Sequence, residues 1–429
     1  MSVPEKKPAE QPAADQPGTA PDDSQVPAST TGVLTIDLDA LAANWRKLEK
    51  TAVPAECAGV IKADAYGCGI PQVARTLAAA GCKTFFVATL GEAKAARAAL
   101  PDTAALYVLD GFFQNTGEDY AAINCRPVIG DLNELAEWDM FCRRTGWKGG
   151  AAIHVDTGMN RLGLPPIDAQ GMIPRIQTGD HGITLVMSHL ASAEQINSPS
   201  NARQLATFRE VASVFTGVPA ALAASSGIFL GASFQFDMVR PGAALYGVNP
   251  TPEADNPMQP VAEIKARIVQ LRDLARGDTV GYGGTWSARR PTRIAILSAG
   301  YADGYFRAAS SNDGTRGADV IIAGQRCPVA GRVSMDLIAV DVTDLPPKAA
   351  RRGHFATLLG EGITVDELAH HFGTIGYEVL TSLGHRYARV YKGGNEVEPL
   401  VKPEPTPTAE QSPSPPPIQQ PASPPPLPS

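Results

Sequence analysis

The chain has 429 residues, more than one ordinary core accommodates, so about two domains are expected. Its 44% apolar and 19% charged content suits a globular protein, and a formal charge of −7 argues against a nucleic-acid partner. No apolar run reaches membrane-spanning length, Lys6 and Lys7 have no apolar run of a secretory signal behind them, and six scattered cysteines show neither CxxC nor zinc spacing, which points to a reducing cytosol and no metal.

Residues 1–32 are rich in Pro, Ala, Gln and Asp, and residues 402–429 in Pro, Ser and Gln; together they hold roughly half of the 37 prolines. Such segments bury too little apolar surface to offset chain entropy, so both are expected to be disordered. Val33–Ile36 reads as a strand, and Asp37 or Asp39 as the cap of a helix through Leu41, Trp45 and Leu48. A short apolar run from Cys57 to Ile61 ends in Lys62. Pro71 opens a helix that stops at Gly81. Strands follow at 84–89, 106–109, 127–129, 151–155 and 183–187, with helices at 92–100, 132–142, 172–176 and 201–215. This βα alternation fits a (β/α)8 TIM-type barrel over 33–260. From 261 to 401 the strands are separated by Gly-rich turns, with helical signal only near 365–371 and 377–383, which reads as a mostly antiparallel β domain.

No GxGxxG follows the first strand, and there is no Walker loop, HExxH or GxSxG. What remains are polar residues at the tips of apolar strands. They are Lys62 with Tyr66, the run Asp156 to Arg161, Ser188-His189, Ser225-Ser226-Gly227 and Arg240-Pro241-Gly242. In a barrel these tips converge on one mouth. A lysine among apolar neighbours has its pKa lowered and serves as a Schiff-base amine. Two arginines, a histidine and paired serines around it suit an anionic, phosphorylated carbonyl cofactor, an arginine there binding either phosphate or a ring heteroatom.

The runs Lys62-Ala63-Asp64-Ala65-Tyr66-Gly67, Asp156-Thr157-Gly158-Met159-Asn160-Arg161-Leu162-Gly163 and Arg240-Pro241-Gly242-Ala243-Ala244-Leu245-Tyr246-Gly247 resemble those of alanine racemases. So do Gly281-Tyr282-Gly283-Gly284-Thr285, Gly300-Tyr301-Ala302-Asp303-Gly304 and Gly331-Arg332-Val333-Ser334-Met335-Asp336. The six motifs keep the family's order and span the whole folded part. The resemblance implies a cytoplasmic homodimer with active sites shared between subunits. It implies a two-base interconversion of L- and D-alanine on pyridoxal 5'-phosphate, supplying D-alanine for peptidoglycan. Lys62 matches the lysine of the internal aldimine and the base for the D-alanine proton; Tyr282 matches the base for the L-alanine proton. Arg240 matches the arginine facing the pyridine nitrogen, and His189 its support. Tyr66, Ser226 and the backbone near Gly242 and Ala243 match phosphate contacts. Arg161 matches the residue at the cofactor phenolate oxygen and substrate carboxylate, and Tyr301 and Met335 match substrate-pocket positions.

Two positions depart from the family pattern. Many members carry a carbamylated lysine seven residues before the Arg161 position, where this chain has His154, so an imidazole must orient Arg161 instead. Aligning Leu383 to Arg389 puts His385 where the family often has a phosphate-touching tyrosine, with Tyr387 two residues on. Three other readings stand beside this one. A racemase of the same fold acting on serine or a broader set would show it in relative turnover. A non-catalytic cofactor-binding protein would show no racemisation, and a decarboxylase of the same fold class would release carbon dioxide from basic amino acids.

Overall fold

A computed structural model describes residues 29–179 and 182–394. The tails expected to be disordered lie outside these residues, apart from 29–32. There the structure is already engaged: the Arg267 amide donates to the Thr31 carbonyl at 2.7 Å, and Arg267 Nε to the Thr30 carbonyl at 2.9 Å. The first strand, β1 (Gly32–Asp37), buries Val33, Leu34 and Ile36. Asp37 then caps the helix Leu38–Ala52, its carboxylate accepting from the Ala40 amide at 2.9 Å. Such a cap contributes about 1 kcal/mol. The helix buries Leu41, Trp45 and Leu48, and the Trp45 indole N–H donates to the Cys57 carbonyl at 3.2 Å.

The barrel is made by β2 (Glu56–Cys57), β3 (Gly59–Val60), β4 (Thr84–Val87), β5 (Ala105–Val108), β6 (Arg126–Ile129), β7 (Ala151–His154), β8 (Ile183–Met187), β9 (Ala220–Ala224) and β10 (Met238–Arg240). All neighbours are parallel. β2 and β3 are one extended stretch interrupted at Ala58; β2 pairs with β10 and β3 with β4, so the stretch closes the ring. That stretch and the seven strands after it make the eightfold barrel expected, but its first member is not β1. β1 lies in the other sheet, antiparallel to β11 (Ala262–Leu274) and parallel to the last strand of the described chain. Alternation of strand and helix says nothing about which sheet a strand joins. The segment Ala220–Ala224 carries no β-branched or aromatic residue and so has no strand pattern of its own.

The second sheet is mostly antiparallel. After β11 come the small hairpin β12 (Thr279–Val280) and β13 (Trp286–Ser287), then β14 (Thr292–Leu297), β15 (Asp319–Ile322), β16 (Gln325–Pro328), β17 (Ile338–Asp341), β18 (Phe355–Leu359) and β19 (Ala388–Lys392). The first half of β11 alternates buried and half-buried residues, as a strand with one face on a core does. It pairs with β1 and β18 in its first half and β14 in its second, the register shifting between Ile268 and Gln270. The expected helices appear at Val365–Phe372 and Gly376–Thr381. Among the described residues no helix is long and apolar enough to cross a membrane.

Candidate active site

β3 stops at Val60, and Lys62 stands just beyond it at the barrel rim. The turn that follows Lys62 is left-handed. Ala63, Asp64, Ala65 and Tyr66 have φ of 54°, 50°, 53° and 53°, and Gly67 ends the run at φ 79°. L-residues lose about 1–2 kcal/mol each in this conformation, so the surroundings must hold it. Within the turn the Ala65 amide donates to the Ile61 carbonyl at 3.0 Å and the Gly69 amide to the Asp64 carbonyl at 2.8 Å. From outside, Glu92 Oε1 accepts from the Ala63 amide at 2.7 Å, and Asp64 Oδ1 accepts from the Ile70 amide at 2.9 Å. A Cβ on Gly67 would come within 2.5 Å of the Leu380 carbonyl oxygen, so the helix Gly376–Thr381 closes on the turn only because this residue is glycine.

Lys62 is half-buried. Burial, and then the charge of Arg161, push its amine below the ordinary lysine range, against the opposing pull of Glu92 and Asp110. That direction favours the free amine a Schiff-base lysine needs.

The other tips converge as the barrel requires. Arg240, at the end of β10, is buried; its Nη2 donates to the Ser188 carbonyl at 2.5 Å and more weakly to the Leu222 carbonyl at 3.4 Å. Burial lowers its pKa to about 10, which leaves it cationic at neutral pH. The direct anchors of Arg240 are thus these carbonyls, while the His189 ring lies within its field. Burial, Arg240 and Arg161 push His189 down to about 3, and burial with the same two arginines pushes His154 down to about 4. Both imidazoles are neutral at neutral pH, so His154 offers Arg161 a dipole and no charge. Arg161 follows a loop built on Asp156, whose Oδ1 accepts from the amides of Gly158 and Met159 at 2.9 Å and Asn160 at 3.1 Å. Burial would raise the Asp156 carboxyl, and these amides outweigh it, holding it below its ordinary range.

Ser226 Oγ and Arg240 Nη1 are buried without a hydrogen-bond partner among the described residues. An unpaired buried donor costs about 1–3 kcal/mol, so both require an acceptor from outside the chain. A phosphate answers the hydroxyl and a pyridine nitrogen answers the guanidinium, which is the donor set pyridoxal phosphate needs. Ser225 is already committed, its Oγ accepting from the Gly242 and Ala244 amides at 3.1 and 3.2 Å. The Tyr66 hydroxyl occupies the space where a Cβ on Gly242 would stand. Ala243 opens the short turn Ala243–Tyr246 beside it.

Tyr282, Tyr301 and Met335 form a second group, on the β-rich part of the chain. Tyr282 follows Gly281 (φ 74°) and is 70% exposed; Met335 is 53% and Tyr301 43% exposed. The Tyr301 amide donates to the Ser334 carbonyl and the Ala302 amide to the Met335 carbonyl, each at 3.1 Å. Below them Arg386 grips buried Asp303 at 2.6 and 2.8 Å and reaches Asp336 at 2.7 Å. Among the described residues, no hydrogen bond, ion pair or ring contact joins this group to Lys62.

Sequence reasoning missed the residues that hold the site. Gln204, buried on the helix Pro199–Val214, accepts from the Ala191 amide at 2.9 Å and donates to the His189 carbonyl at 2.9 Å and to Thr157 Oγ1 at 3.3 Å. Buried amide side chains next to strand tips are its only signal. His385 is exposed, and Tyr387 packs in the core against Gly32. Tyr377, on the helix Gly376–Thr381, also stands near Tyr66, at 6.4 Å between ring centroids, with its hydroxyl donating to Glu194 at 3.1 Å.

Two family descriptions match the chain, alanine racemase N-terminal domain over residues 36–250 and alanine racemase C-terminal domain over residues 261–391. An alanine racemase of Methylobacterium nodulans is 52% identical over 364 residues, 85% of this chain and 97% of that one. A biosynthetic alanine racemase of Agrobacterium fabrum is 44% identical, over 83% of this chain and 93% of its own. Among solved structures, the alanine racemase of Bartonella henselae with covalently bound pyridoxal phosphate superposes with a TM-score of 0.79 at 38% identity, covering 85% of this chain and all of that one (100%).

Proposed function

Because this chain belongs to the alanine racemase family, we propose that Lys62 and Tyr282 are the two bases of its reaction. The activity is the interconversion of L-alanine and D-alanine, and pyridoxal phosphate is the cofactor. When bound, the cofactor supplies an electron sink for the carbanion left when Cα loses its proton. The protein's share is to hold the substrate and move that proton. Racemisation removes it from one face of Cα and returns it to the other, so one base per face suffices without turning the substrate. Lys62, with its lowered pKa, serves the face of the D-alanine proton. Tyr282 serves the face of the L-alanine proton. Arg161 holds the substrate carboxylate, and Tyr301 and Met335 wall the substrate pocket. Arg240 faces the ring nitrogen. As an arginine it is a poor proton donor even with its lowered pKa, and two neutral histidines leave its charge undiluted. Ser226, Tyr66 and the backbone at Gly242 and Ala243 take the phosphate.

We assign cofactor binding to residues 33–260 and delivery of Tyr282 to residues 261–401. The exposed group of Tyr282, Tyr301 and Met335 supports a homodimer in which Tyr282 of one subunit completes the site at Lys62 of the other. Six free thiols suit a cytoplasmic location, where D-alanine is made for peptidoglycan.

The observation that carries the residue assignment is the placing of Lys62 at one rim with two unpaired buried donors, Ser226 Oγ and Arg240 Nη1. Purified protein given L-alanine should form D-alanine until the enantiomers are equal, and Lys62→Ala should form none. Wild-type turnover that survives Lys62→Ala would remove Lys62 from its role.

A further inference from the structure

We propose that Glu92 is a positioning residue for this reaction, the clamp that fastens the left-handed turn carrying Lys62 to the tip of the neighbouring strand. The inference rests on Lys62 being the cofactor lysine.

Glu92 lies in the first turn of the helix Leu90–Arg97, just past β4. It forms a capping box with Thr89: its amide donates to Thr89 Oγ1 at 3.2 Å, and its Oε2 accepts from the Thr89 amide at 3.3 Å. An ordinary capping box ends there. Here the carboxylate does more. Oε2 also accepts from the Ala88 amide at 2.8 Å, at the end of β4, and Oε1 accepts from the Ala63 amide at 2.7 Å. Ala63 directly follows Lys62 and is the first of the four left-handed residues. One carboxylate thus joins two adjacent strand tips through backbone N–H donors.

Two consequences follow for Lys62. A run of left-handed L-residues relaxes toward ordinary angles unless held, and the Ala63 amide is the handle nearest the lysine. A carboxylate at this place also favours a protonated nitrogen on Lys62. The charged groups facing Lys62 are Arg161, which disfavours that proton, and Glu92 and Asp110, which favour it; the His189 ring lies within its field and is neutral.

A glutamine cannot do the same work. It has one acceptor oxygen, so its NH2 would meet either the Ala63 amide or the Ala88 amide, donor against donor. The chain supplies its own control. Glu134, in the helix Leu132–Thr145, accepts from the Phe112 amide at 2.7 Å through Oε1 and from the Gly130 amide at 2.8 Å through Oε2. That is the same bridge between the tips of β5 and β6, where no proposed site residue stands. Glu134→Gln therefore measures what losing such a bridge costs the barrel alone.

The test compares wild type, Glu92→Gln and Glu134→Gln, each loaded with pyridoxal phosphate. It reads melting temperature, kcat and KM for L-alanine, and the midpoint of the cofactor's absorbance change with pH. Both variants should melt earlier. Only Glu92→Gln should lose kcat, roughly ten- to a hundredfold, with KM held within about twofold. Only Glu92→Gln should move the absorbance midpoint to lower pH. Wild-type kcat and midpoint in Glu92→Gln would overturn the proposal, as would the same losses in Glu134→Gln. If Glu92→Gln does not fold, Glu92→Asp keeps the charge and loses the reach: its kcat must fall while its midpoint stays, and an unchanged kcat overturns the clamp. Failure of the premise reads separately. Borohydride reduction of wild type that leaves the pyridoxyl group on a lysine other than Lys62 sinks both.

Discussion

Tyr66 lies on Tyr246, their ring centroids 4.6 Å apart, and the stack ties the left-handed turn to the loop after β10. The Tyr246 hydroxyl donates to the Val60 carbonyl at 3.1 Å, so the same ring also braces the strand that leads to Lys62. The Tyr66 hydroxyl is left for a ligand. Burial pushes its pKa up, so it carries its proton at every working pH and can donate.

Tyr66→Phe should therefore keep the stack and weaken the cofactor. A hydrogen bond to a charged group contributes about 1.5–3 kcal/mol, and the dissociation constant of pyridoxal phosphate, read by titrating the apoprotein, should rise accordingly. An unchanged constant would take the hydroxyl off the phosphate.

Gly242→Ala should be harsher, because its Cβ meets the Tyr66 hydroxyl. Overpacking of this kind costs about 1–3 kcal/mol in stability, and cofactor retention should fall with it. Adding Tyr66→Phe to Gly242→Ala should return part of the stability in urea unfolding. A double variant no more stable than the single one would mean that the clash lies elsewhere.

Subunit sharing has a sharper readout. Lys62→Ala and Tyr282→Phe should each be nearly inactive alone. In a mixed dimer one site collects both defects and the other neither, so a purified heterodimer should regain roughly half of wild-type activity by symmetry. An inactive heterodimer containing both chains and bound cofactor would place both bases in one chain.

The two histidines set an acid limit. His154 titrates near 4 and His189 near 3 in the folded chain. In the unfolded chain both titrate near ~6.5. Between these values the unfolded state binds more protons, so the stability that neutral burial preserves is complete above about 6.5 and drains away as pH falls toward 4. Asp156 contributes below this window, since its lowered carboxyl loses its advantage only as pH drops past its unfolded value. His154→Gln should flatten the decline between pH 6.5 and 4 by on the order of 1–3 kcal/mol in denaturant unfolding. A decline as steep as that of wild type would show that His154 already takes up its proton when folded.

The barrel was legible because its strands are short apolar runs ending in polar or glycine-rich tips, and period and punctuation are local properties of a chain. Lys62, Arg240 and Ser226 could be picked out for the same reason. The handedness of the turn after Lys62 was not legible, since Ala63, Asp64 and Ala65 are ordinary residues whose conformation is imposed by Glu92 and the neighbouring helix. Tyr377 escaped notice because its place beside Tyr66 spans more than three hundred positions of sequence, as ~300-residue contacts leave no local pattern. Tyr387 drew attention by proximity to His385, yet it serves the core.

β1 has a bearing on how the molecule comes into being. It is the first of the described strands to be made, at residues 32–37, but its partners are β11, which starts at Ala262, and β19, which ends at Lys392. All barrel strands are synthesised while β1 has no neighbour to pair with. Closing so long a loop must precede any gain from pairing, which makes such contacts slow to form. On the ribosome the barrel can therefore assemble before the second sheet, with the leading strand waiting at the edge for the trailing one. A chain halted before Ala388 would leave β1 with one open flank, so the last of the described strands to emerge is also the latch on the first of them.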